Sequence, residues 1–152
     1  MVDYIDLKEM LPSMRETLEG GGNVNLTVAG NSMLPMLAHN KDRVTLVKPE
    51  TIKKYDVTLF VREDGSPVLH RVVKIKNGEF IIRGDNCGYS ETVSPSQILA
   101  VVTSFTHNGK ECHVVKNSYK MYSFLWCNEL CFFIRKRLLP KAKSVIKKIL
   151  KK

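Results

Sequence analysis

The segment from Gly30 to Leu37 places one serine hydroxyl inside a tight turn that follows a short strand-like run. Glycine permits a positive φ or a close approach of backbone groups. Pro35 fixes its own φ and keeps Leu34 out of the helical region. Turns on a rigid scaffold are where functional side chains concentrate. Ser32 is therefore a candidate nucleophile, and the alternative is an ordinary loop whose serine is solvated.

A serine needs a neighbouring base to act as a nucleophile at neutral pH, and His70 is the best-placed histidine. In the run 68–73, strand alternation puts His70 on the same face as Val68 and Val72. Half burial there would keep the imidazole neutral and available as a base. The alternative is a core histidine with a satisfied hydrogen bond. Three other histidines are weaker candidates. His39 is too close to the serine turn to reach back to it easily, His107 lies at a hairpin turn, and His113 lies in a late strand.

Two carboxylates six residues apart, Asp85 and Glu91, lie in and after a turn that contains the order Arg-Gly-Asp-Asn. Either could hold the second imidazole nitrogen in the tautomer that a catalytic triad requires. Asp85 could equally cap its own turn by accepting backbone hydrogen bonds. Both remain candidates for the orienting acid.

The chain has 152 residues, enough for one domain with appendages, and its apolar content of 43% is enough for a core. Its four cysteines lack the pairing of a zinc site, and its first residues do not resemble a secretory signal. We therefore expect free thiols in the cytoplasm. No metal and no cofactor is expected.

The positive charge is concentrated at the carboxyl end. The net charge is +9, and the range 135–152 contains nine basic residues and no acidic one. The rest of the chain holds 15 basic and 15 acidic residues and is neutral. A basic tail indicates an anionic partner, either a membrane surface or a nucleic acid.

The periodicity of apolar residues predicts a mainly β protein, an antiparallel ribbon or partly closed barrel with a short helix before it. Residues 3–19 are expected to form an amphipathic helix, ended by three glycines and kinked or divided at Pro12. Strands are predicted at 24–28, 43–47, 57–62, 68–76, 79–83, 98–106 and 110–115. Asp-Gly or Asn-Gly pairs at 64–65, 77–78 and 108–109 are typical of hairpin turns.

The carboxyl-terminal segment has a different character. Residues 119–134 are aromatic but too interrupted to span a bilayer. Beyond Leu138, apolar and lysine faces predict an amphipathic helix lying in the membrane interface. One alternative is a helix packed on the β body. Another is a contact with nucleic acid, and this contact is not expected. We thus predict an amino-terminal helix with its glycine stop (1–22), a β domain (23–116) and a helical tail (117–152), with residues 119–152 contacting an anionic membrane surface.

Three blocks in this order resemble the signal peptidase I superfamily, which also contains the self-cleaving LexA-type repressors. The blocks are Gly30–Pro35, Lys54-Tyr55-Asp56-Val57 running on to His70-Arg71-Val72, and Arg83–Asn86, and the resemblance covers roughly residues 24 to 105. It implies a β-rich serine peptidase in which Ser32 attacks a peptide carbonyl. The His-Arg-Val order is similar to the archaeal and endoplasmic-reticulum branch, whose base is a histidine rather than a lysine. The resemblance therefore implies His70 as the base.

The resemblance also bears on the acid and on the oxyanion hole. In the histidine branch the orienting aspartate lies six residues after the aspartate of the Gly-Asp-Asn turn, where this chain has Glu91, whereas Asp85 matches the turn aspartate itself. Many relatives have a serine at the position of Gly30 that lends a hydroxyl to the oxyanion hole. Here the hole would rest on the backbone N–H of Ser32, with Asn31 as a further candidate donor. Losing one donor typically lowers the rate by about 10²–10³-fold, so we expect a slow enzyme.

The expected function is a serine endopeptidase that cleaves a peptide or protein precursor through a Ser32–His70 pair. Signal peptidases usually have an apolar spanning helix before the serine, and residues 1–29 contain none. We therefore expect a peripheral protein on the cytoplasmic face of the membrane. One alternative is a non-catalytic β binding module tethered by its basic tail. Another is a self-cleaving switch of the repressor type, for which the base should be a lysine.

Overall fold

The computed structural model describes residues 7–128, 131, 132 and 134, and within them the chain forms one eight-stranded antiparallel sheet and two α-helices. The predicted mainly β class is confirmed. The helices are α1 (Leu7–Glu19) and α2 (Asn117–Cys127). The strands are β1 (Val24–Thr27), β2 (Arg43–Val47), β3 (Val57–Val61), β4 (Pro67–Lys76), β5 (Glu79–Arg83), β6 (Glu91–Val93), β7 (Ile98–His107) and β8 (Lys110–His113).

The sheet is open rather than closed into a barrel. Its described strands follow the order β1-β2-β7-β3-β4-β5-β6, and β8 pairs with β7. The long strand β7 pairs with β2 along one edge, and with β3 and then β8 along the other. This arrangement brings β3, β4, β5 and β6 together as neighbours, and the candidate base and both candidate acids lie on or beside them.

The three predicted hairpin turns are confirmed by their backbone conformation. Gly65 has a φ of 78°, and both residues of the Asn77-Gly78 and Asn108-Gly109 pairs also have positive φ. Such values match the twist of tight antiparallel hairpins. Strand β6 was not predicted, because three residues are too few to show an alternating pattern.

The amino-terminal helix packs on the sheet. Pro12 lies inside α1 and does not divide it, and Met14 and Leu18 are buried on the face toward the core. The glycine stop is confirmed, since α1 ends at Glu19 and Gly21 has a φ of 79°. The predicted start of the helix at residues 3–6 lies outside the described residues.

Two apolar clusters flank strand β4. The larger contains buried residues of α1, the serine turn, β2, β3 and β7, and the smaller contains Phe60, Val72, Phe80, Ile82 and Val93. Val68 packs against the smaller cluster and Leu69 against the larger, so the predicted alternation along β4 is confirmed. Consecutive residues His70 and Arg71 therefore point to opposite sides of the sheet.

The structure describes only part of the predicted carboxyl-terminal tail. Helix α2 occupies the beginning of the predicted tail, whereas the amphipathic helix expected beyond Leu138 lies outside the described residues. Between residues 7 and 134, as far as they are described, no helix is long and apolar enough to cross a membrane.

Candidate active site

The serine turn is held by its buried neighbours. Met33 and Leu37 are 1% and 0% exposed and belong to the larger apolar cluster, whereas Ser32 between β1 and β2 is half-buried. Gly30 has a φ of 86° with open space where a side chain would be, so the conformation rather than a close approach requires glycine there. The Leu34–Pro35 peptide bond is cis.

Asn86 joins the serine turn to the Gly-Asp-Asn turn. Its backbone N–H donates to the carbonyl oxygen of Ser32 at 2.7 Å, and its side-chain amide donates to the carbonyl oxygen of Asn31 at 3.2 Å. Two segments more than fifty residues apart in sequence, at 31–32 and at 86, are thus fixed to each other. The third residue of the Gly-Asp-Asn block therefore positions the candidate nucleophile.

Gly84 lies where the backbone of the serine turn and the candidate base come close together. A Cβ atom at Gly84 would lie 2.7 Å from the carbonyl oxygen of Ser32, 2.9 Å from Nε2 of His70 and 2.7 Å from Sγ of Cys87. Contacts under 3.0 Å are essentially never made by a real Cβ, so only glycine fits. Nε2 of the imidazole therefore lies near the backbone of the serine turn, and Nε2 is the nitrogen that a general base would use.

His70 is buried more deeply than the half burial that the sequence predicts. It is 3% exposed, and its ring lies beside Phe60 with the ring centroids 6.3 Å apart. Among the described residues, its Nδ1 is fully buried and has no hydrogen-bond partner. The alternative of a core histidine with a satisfied hydrogen bond therefore does not hold for this ring.

Glu91, on β6, is the carboxylate nearest to Nδ1. Its Oε1 lies 3.6 Å from Nδ1 of His70, beyond hydrogen-bond distance. Arg62 holds the same carboxylate with two hydrogen bonds, from Nε to Oε2 at 2.6 Å and from Nη2 to Oε1 at 2.7 Å. Glu91 is thus shared between the candidate base and an arginine that the sequence did not indicate.

Burial and charge set the protonation of this group of residues. Burial lowers the pKa of His70, the nearby Glu91 carboxylate opposes that shift, and the Arg62 guanidinium adds to it. The hydrogen bond from Arg62 lowers the pKa of Glu91. At neutral pH the arrangement therefore favours a neutral imidazole beside an ionised carboxylate, which are the states that a base and its orienting acid require.

Asp85 lies on the other side of β4 and pairs with Arg71. The guanidinium donates from Nε to Oδ1 at 2.8 Å and from Nη2 to Oδ2 at 2.7 Å, and both side chains are essentially unexposed. The hydroxyl of Tyr122 donates to Oδ2 at 3.1 Å. Burial opposes the charge on Arg71, but Asp85 raises its pKa well above the usual value, and burial also raises the pKa of Tyr122. The geometry thus assigns Asp85 a structural pair and leaves Glu91 beside the imidazole.

The remaining donors of Arg71 fasten helix α2 to the sheet. Nη1 donates to the hydroxyl of Tyr119 at 2.7 Å, to Oγ of Ser123 at 3.1 Å and to the carbonyl oxygen of Tyr55 at 3.0 Å. Tyr55 adopts a φ of 80°, which is unusual for a residue with a side chain. Arg71 therefore connects β4, the loop before β3 and α2.

The candidate oxyanion hole contains two unoccupied donors. Among the described residues, the backbone N–H groups of Asn31 and Ser32 donate no hydrogen bond, and the Ser32 hydroxyl makes none. The N–H of Gly30 is occupied, because it donates to Nδ1 of His39 at 2.8 Å. The expectation that His39 does not easily reach back to the serine turn is therefore wrong. It braces the backbone of the turn.

The other two histidines have partners away from this group. His107 Nδ1 lies 3.2 Å from a carboxylate oxygen of Asp42, and His113 Nε2 lies 3.8 Å from one of Glu111. Within the described part of the chain, no three His, Cys, Asp or Glu side chains are grouped as metal ligands would be.

Sequence reasoning missed two residues of the site, Arg62 and Cys87. Arg62 follows β3, and only the pairing of β3 with β4 and of β5 with β6 brings it to Glu91. Arg62 belongs to no motif, and the pairing of distant strands was the missing information. Cys87 directly follows the Arg-Gly-Asp-Asn block, but nothing in the sequence assigns it a role.

In comparisons with known proteins, no family model matches the chain and no curated protein matches it significantly. The resemblance to the signal peptidase I superfamily therefore stays a prediction from three short motifs.

Proposed function

We propose that the protein is a serine endopeptidase that cleaves a peptide or protein precursor. The observation that supports this proposal best is the convergence at Gly84, where the serine turn and Nε2 of His70 lie within 3 Å of one point. The opposite nitrogen of the same ring faces Glu91 at 3.6 Å. The serine turn, the imidazole and a carboxylate follow one another in the order that acyl transfer would need, which supports the proposal.

In the proposed first step, the Ser32 hydroxyl attacks the carbonyl carbon of the scissile bond and passes its proton to Nε2 of His70. The negative charge that develops on the substrate oxygen is stabilised by the free N–H groups of Asn31 and Ser32. Glu91 stabilises the imidazolium from the Nδ1 side. The tetrahedral intermediate collapses when His70 returns the proton to the leaving amine.

In the second step a water molecule attacks the acyl-enzyme, with His70 again accepting the proton, and Ser32 is regenerated. Two features favour slow turnover. The serine turn has no extra hydroxyl donor at Gly30, and Arg62 holds Glu91 beyond hydrogen-bond distance of the imidazole. Each lost stabilising contact to the transition state costs rate.

The proposed location is the cytoplasmic face of the membrane, with residues 119–152 as the contact to anionic lipid. The nine basic residues of the range 135–152 support this assignment. The substrate would then be a precursor that is presented at the membrane surface.

A non-catalytic β binding module is the second candidate function. It is favoured by the free hydroxyl of Ser32, which makes no hydrogen bond in the described part of the chain, and by the 3.6 Å gap between Glu91 and His70. Such a module would bind a peptide across the same turn without cleaving it.

Mass spectrometry of a degenerate peptide pool, incubated with the full-length protein and anionic vesicles, tests the proposal. The Ser32→Ala variant should lose all cleavage, and His70→Gln should lose nearly all of it. Ser13→Ala is the matched control, because Ser13 is exposed on α1 and its hydroxyl bonds only within that helix.

Cuts that disappear in Ser32→Ala and persist in Ser13→Ala would support the peptidase and report its sequence preference. Cuts that persist in Ser32→Ala would overturn it. If the pool binds to the wild-type protein in a pull-down but is never cut, the binding module is the better description.

A further inference from the structure

Helix α2 has a large apolar face that the described part of the chain does not cover. Met121, Phe124 and Leu125 are 63%, 54% and 51% exposed. Their spacing of three and four residues places them on one side of the helix. Apolar side chains of this size on one helix face commonly mark an interaction surface.

The helix cannot turn this face inward, because its other side is anchored to the body. Tyr119 and Ser123 accept hydrogen bonds from Arg71, while Tyr122 and Trp126 donate to the side chain and the carbonyl oxygen of Asp85. The exposed face is therefore a fixed feature of the fold.

The sequence around this face has a positive net charge. Helix α2 and the residue before it include Lys116 and Lys120, both exposed, and no acidic residue, and the one acidic residue between α2 and the range 135–152 is Glu129. The range 135–152 then adds nine basic residues without an acidic one. An apolar stripe combined with a polybasic segment supplies two signals that together give stable binding to a membrane surface.

We propose that the face formed by Met121, Phe124 and Leu125 docks on an anionic lipid bilayer, with these three side chains inserted among the lipid chains. Lys116 and Lys120 lie at the headgroups, and the basic residues of the range 135–152 add electrostatic attraction to anionic lipid. This proposal sharpens the membrane contact of the proposed function, but its binding test does not depend on peptidase activity.

The anchoring of α2 gives the docking a consequence for the candidate site. Arg71 follows His70 in sequence, and Asp85 follows Gly84, so α2 is fixed to the neighbours of both residues. Docking through α2 would therefore hold the site in one orientation above the bilayer. A precursor at the membrane surface would meet the site in that orientation.

Vesicle co-sedimentation with the full-length protein tests the proposal. Vesicles of phosphatidylcholine with phosphatidylglycerol should bind the wild-type protein, and the triple variant Met121→Ser/Phe124→Ser/Leu125→Ser should bind at least about tenfold more weakly. Phe124→Ser alone should weaken binding. Its control is Ile75→Ser, because Ile75 is also exposed but lies on β4.

Trp126 is the only tryptophan of the chain and lies on the anchored side of α2, across the helix from the face that docks. Lipids brominated in their acyl chains should therefore quench its fluorescence partly in the wild-type protein and not in the triple variant. Equal circular dichroism of the variants would show that the fold is retained.

Three results would overturn the proposal. The triple variant would bind vesicles as tightly as the wild type if the basic tail alone made the contact. The wild type would fail to bind if its own tail covered the stripe. A wild-type dimer in light scattering that the triple variant converts to a monomer would assign the stripe to a second copy. None of these results depends on whether Ser32 is a nucleophile.

Discussion

Among the described residues, two arginine–carboxylate pairs lie on opposite sides of strand β4 and differ in burial. Arg71 and Asp85 are 0% and 1% exposed, and each remaining donor of the guanidinium has a partner. Arg62 and Glu91 are 36% and 22% exposed. Both pairs are bidentate, yet only the exposed pair faces the imidazole of His70.

Burial explains why the carboxylates of the two pairs are held to different degrees. A fully buried pair must satisfy its polar atoms within the protein, and hydrogen bonds from Arg71 and Tyr122 hold the Asp85 carboxylate on the side of β4 away from His70. A half-exposed pair is solvated and can give up one contact at a small cost. Glu91 therefore has the freedom that a group coupled to a titrating histidine needs.

The largest contrast should appear in stability. Asp85→Asn leaves the Arg71 charge buried without a counter-charge and should lower the free energy of unfolding by about 3–5 kcal/mol. Glu91→Gln breaks the exposed pair and should cost less than about 1 kcal/mol. Urea denaturation of both variants measures the difference, and equal losses would contradict the comparison.

A double variant separates lost charge pairing from a general failure to pack. Arg71→Leu/Asp85→Leu removes both charges and should recover part of the stability that Asp85→Asn loses. If the double variant is less stable than the single one, the other hydrogen bonds of Arg71 carry more of the stability than the ion pair does.

The next largest effect concerns the point where the site converges. Gly84→Ala would place a methyl group within 3 Å of the Ser32 carbonyl oxygen and of Nε2 of His70. The two must move apart, and a misplacement of this size costs about 10²-fold in kcat/KM. Gly88→Ala is the control in the same turn, because a Cβ there meets nothing within 4 Å. Similar rates for the two variants would show that the convergence at Gly84 has no role in catalysis.

The two members of the exposed pair should shift the pH profile in opposite directions. Glu91 raises and Arg62 lowers the pKa of His70, whose neutral form is the proposed base. The acid limb of kcat/KM should therefore move to lower pH in Glu91→Gln and to higher pH in Arg62→Gln. The loss of rate in Glu91→Gln should be less than the roughly 10⁴-fold seen for a directly bonded triad carboxylate, because the gap here is 3.6 Å.

A merely structural role for the pair would not produce opposite shifts. If the acid limb moves in the same direction in Glu91→Gln and Arg62→Gln, or moves in neither variant, Glu91 does not act on His70 electrostatically. The plateau rates at high pH then show whether the pair serves only to hold β6 in place.

Local patterns in the sequence were sufficient for most of the fold. Alternation predicted seven strands and the faces of β4, and the Asp-Gly and Asn-Gly pairs predicted the turns, because each depends on neighbouring residues. The short strand β6 and the residue Arg62 could not be predicted in this way. Strand β6 has only three residues, too few to show alternation, and Arg62 reaches Glu91, 29 residues away in sequence, only through the pairing of strands.

The choice between the two candidate acids shows the same limit. The motif made Asp85 the more secure assignment, since its Gly-Asp-Asn turn is complete. Only the geometry shows that Arg71, one residue after the base, takes both carboxylate oxygens of Asp85. Sequence order cannot tell which side of a strand a distant carboxylate reaches.

The smallest expected effect is on the pH dependence of stability. Burial lowers the pKa of His70 in the folded protein below its ordinary value of 6.5. Below pH 6.5 the unfolded chain therefore binds a proton more readily than the folded one, and the free energy of unfolding falls as the pH decreases. Between pH 7 and 5.5 this contribution is at most about 1.4 kcal/mol, the value of one pH unit.

The charged groups that face the imidazole do not mask the contribution of His70 to stability between pH 7 and 5.5. The Glu91 carboxylate has a pKa below its ordinary 4.5 and so affects stability only at more acidic pH, while Arg62 stays charged throughout. Asp85 raises the pKa of His70, as Glu91 does, but by less. Urea unfolding at both pH values should show a larger loss in the wild type than in His70→Gln. Parallel losses would mean that the folded protein accepts the proton on His70 as readily as the unfolded chain does.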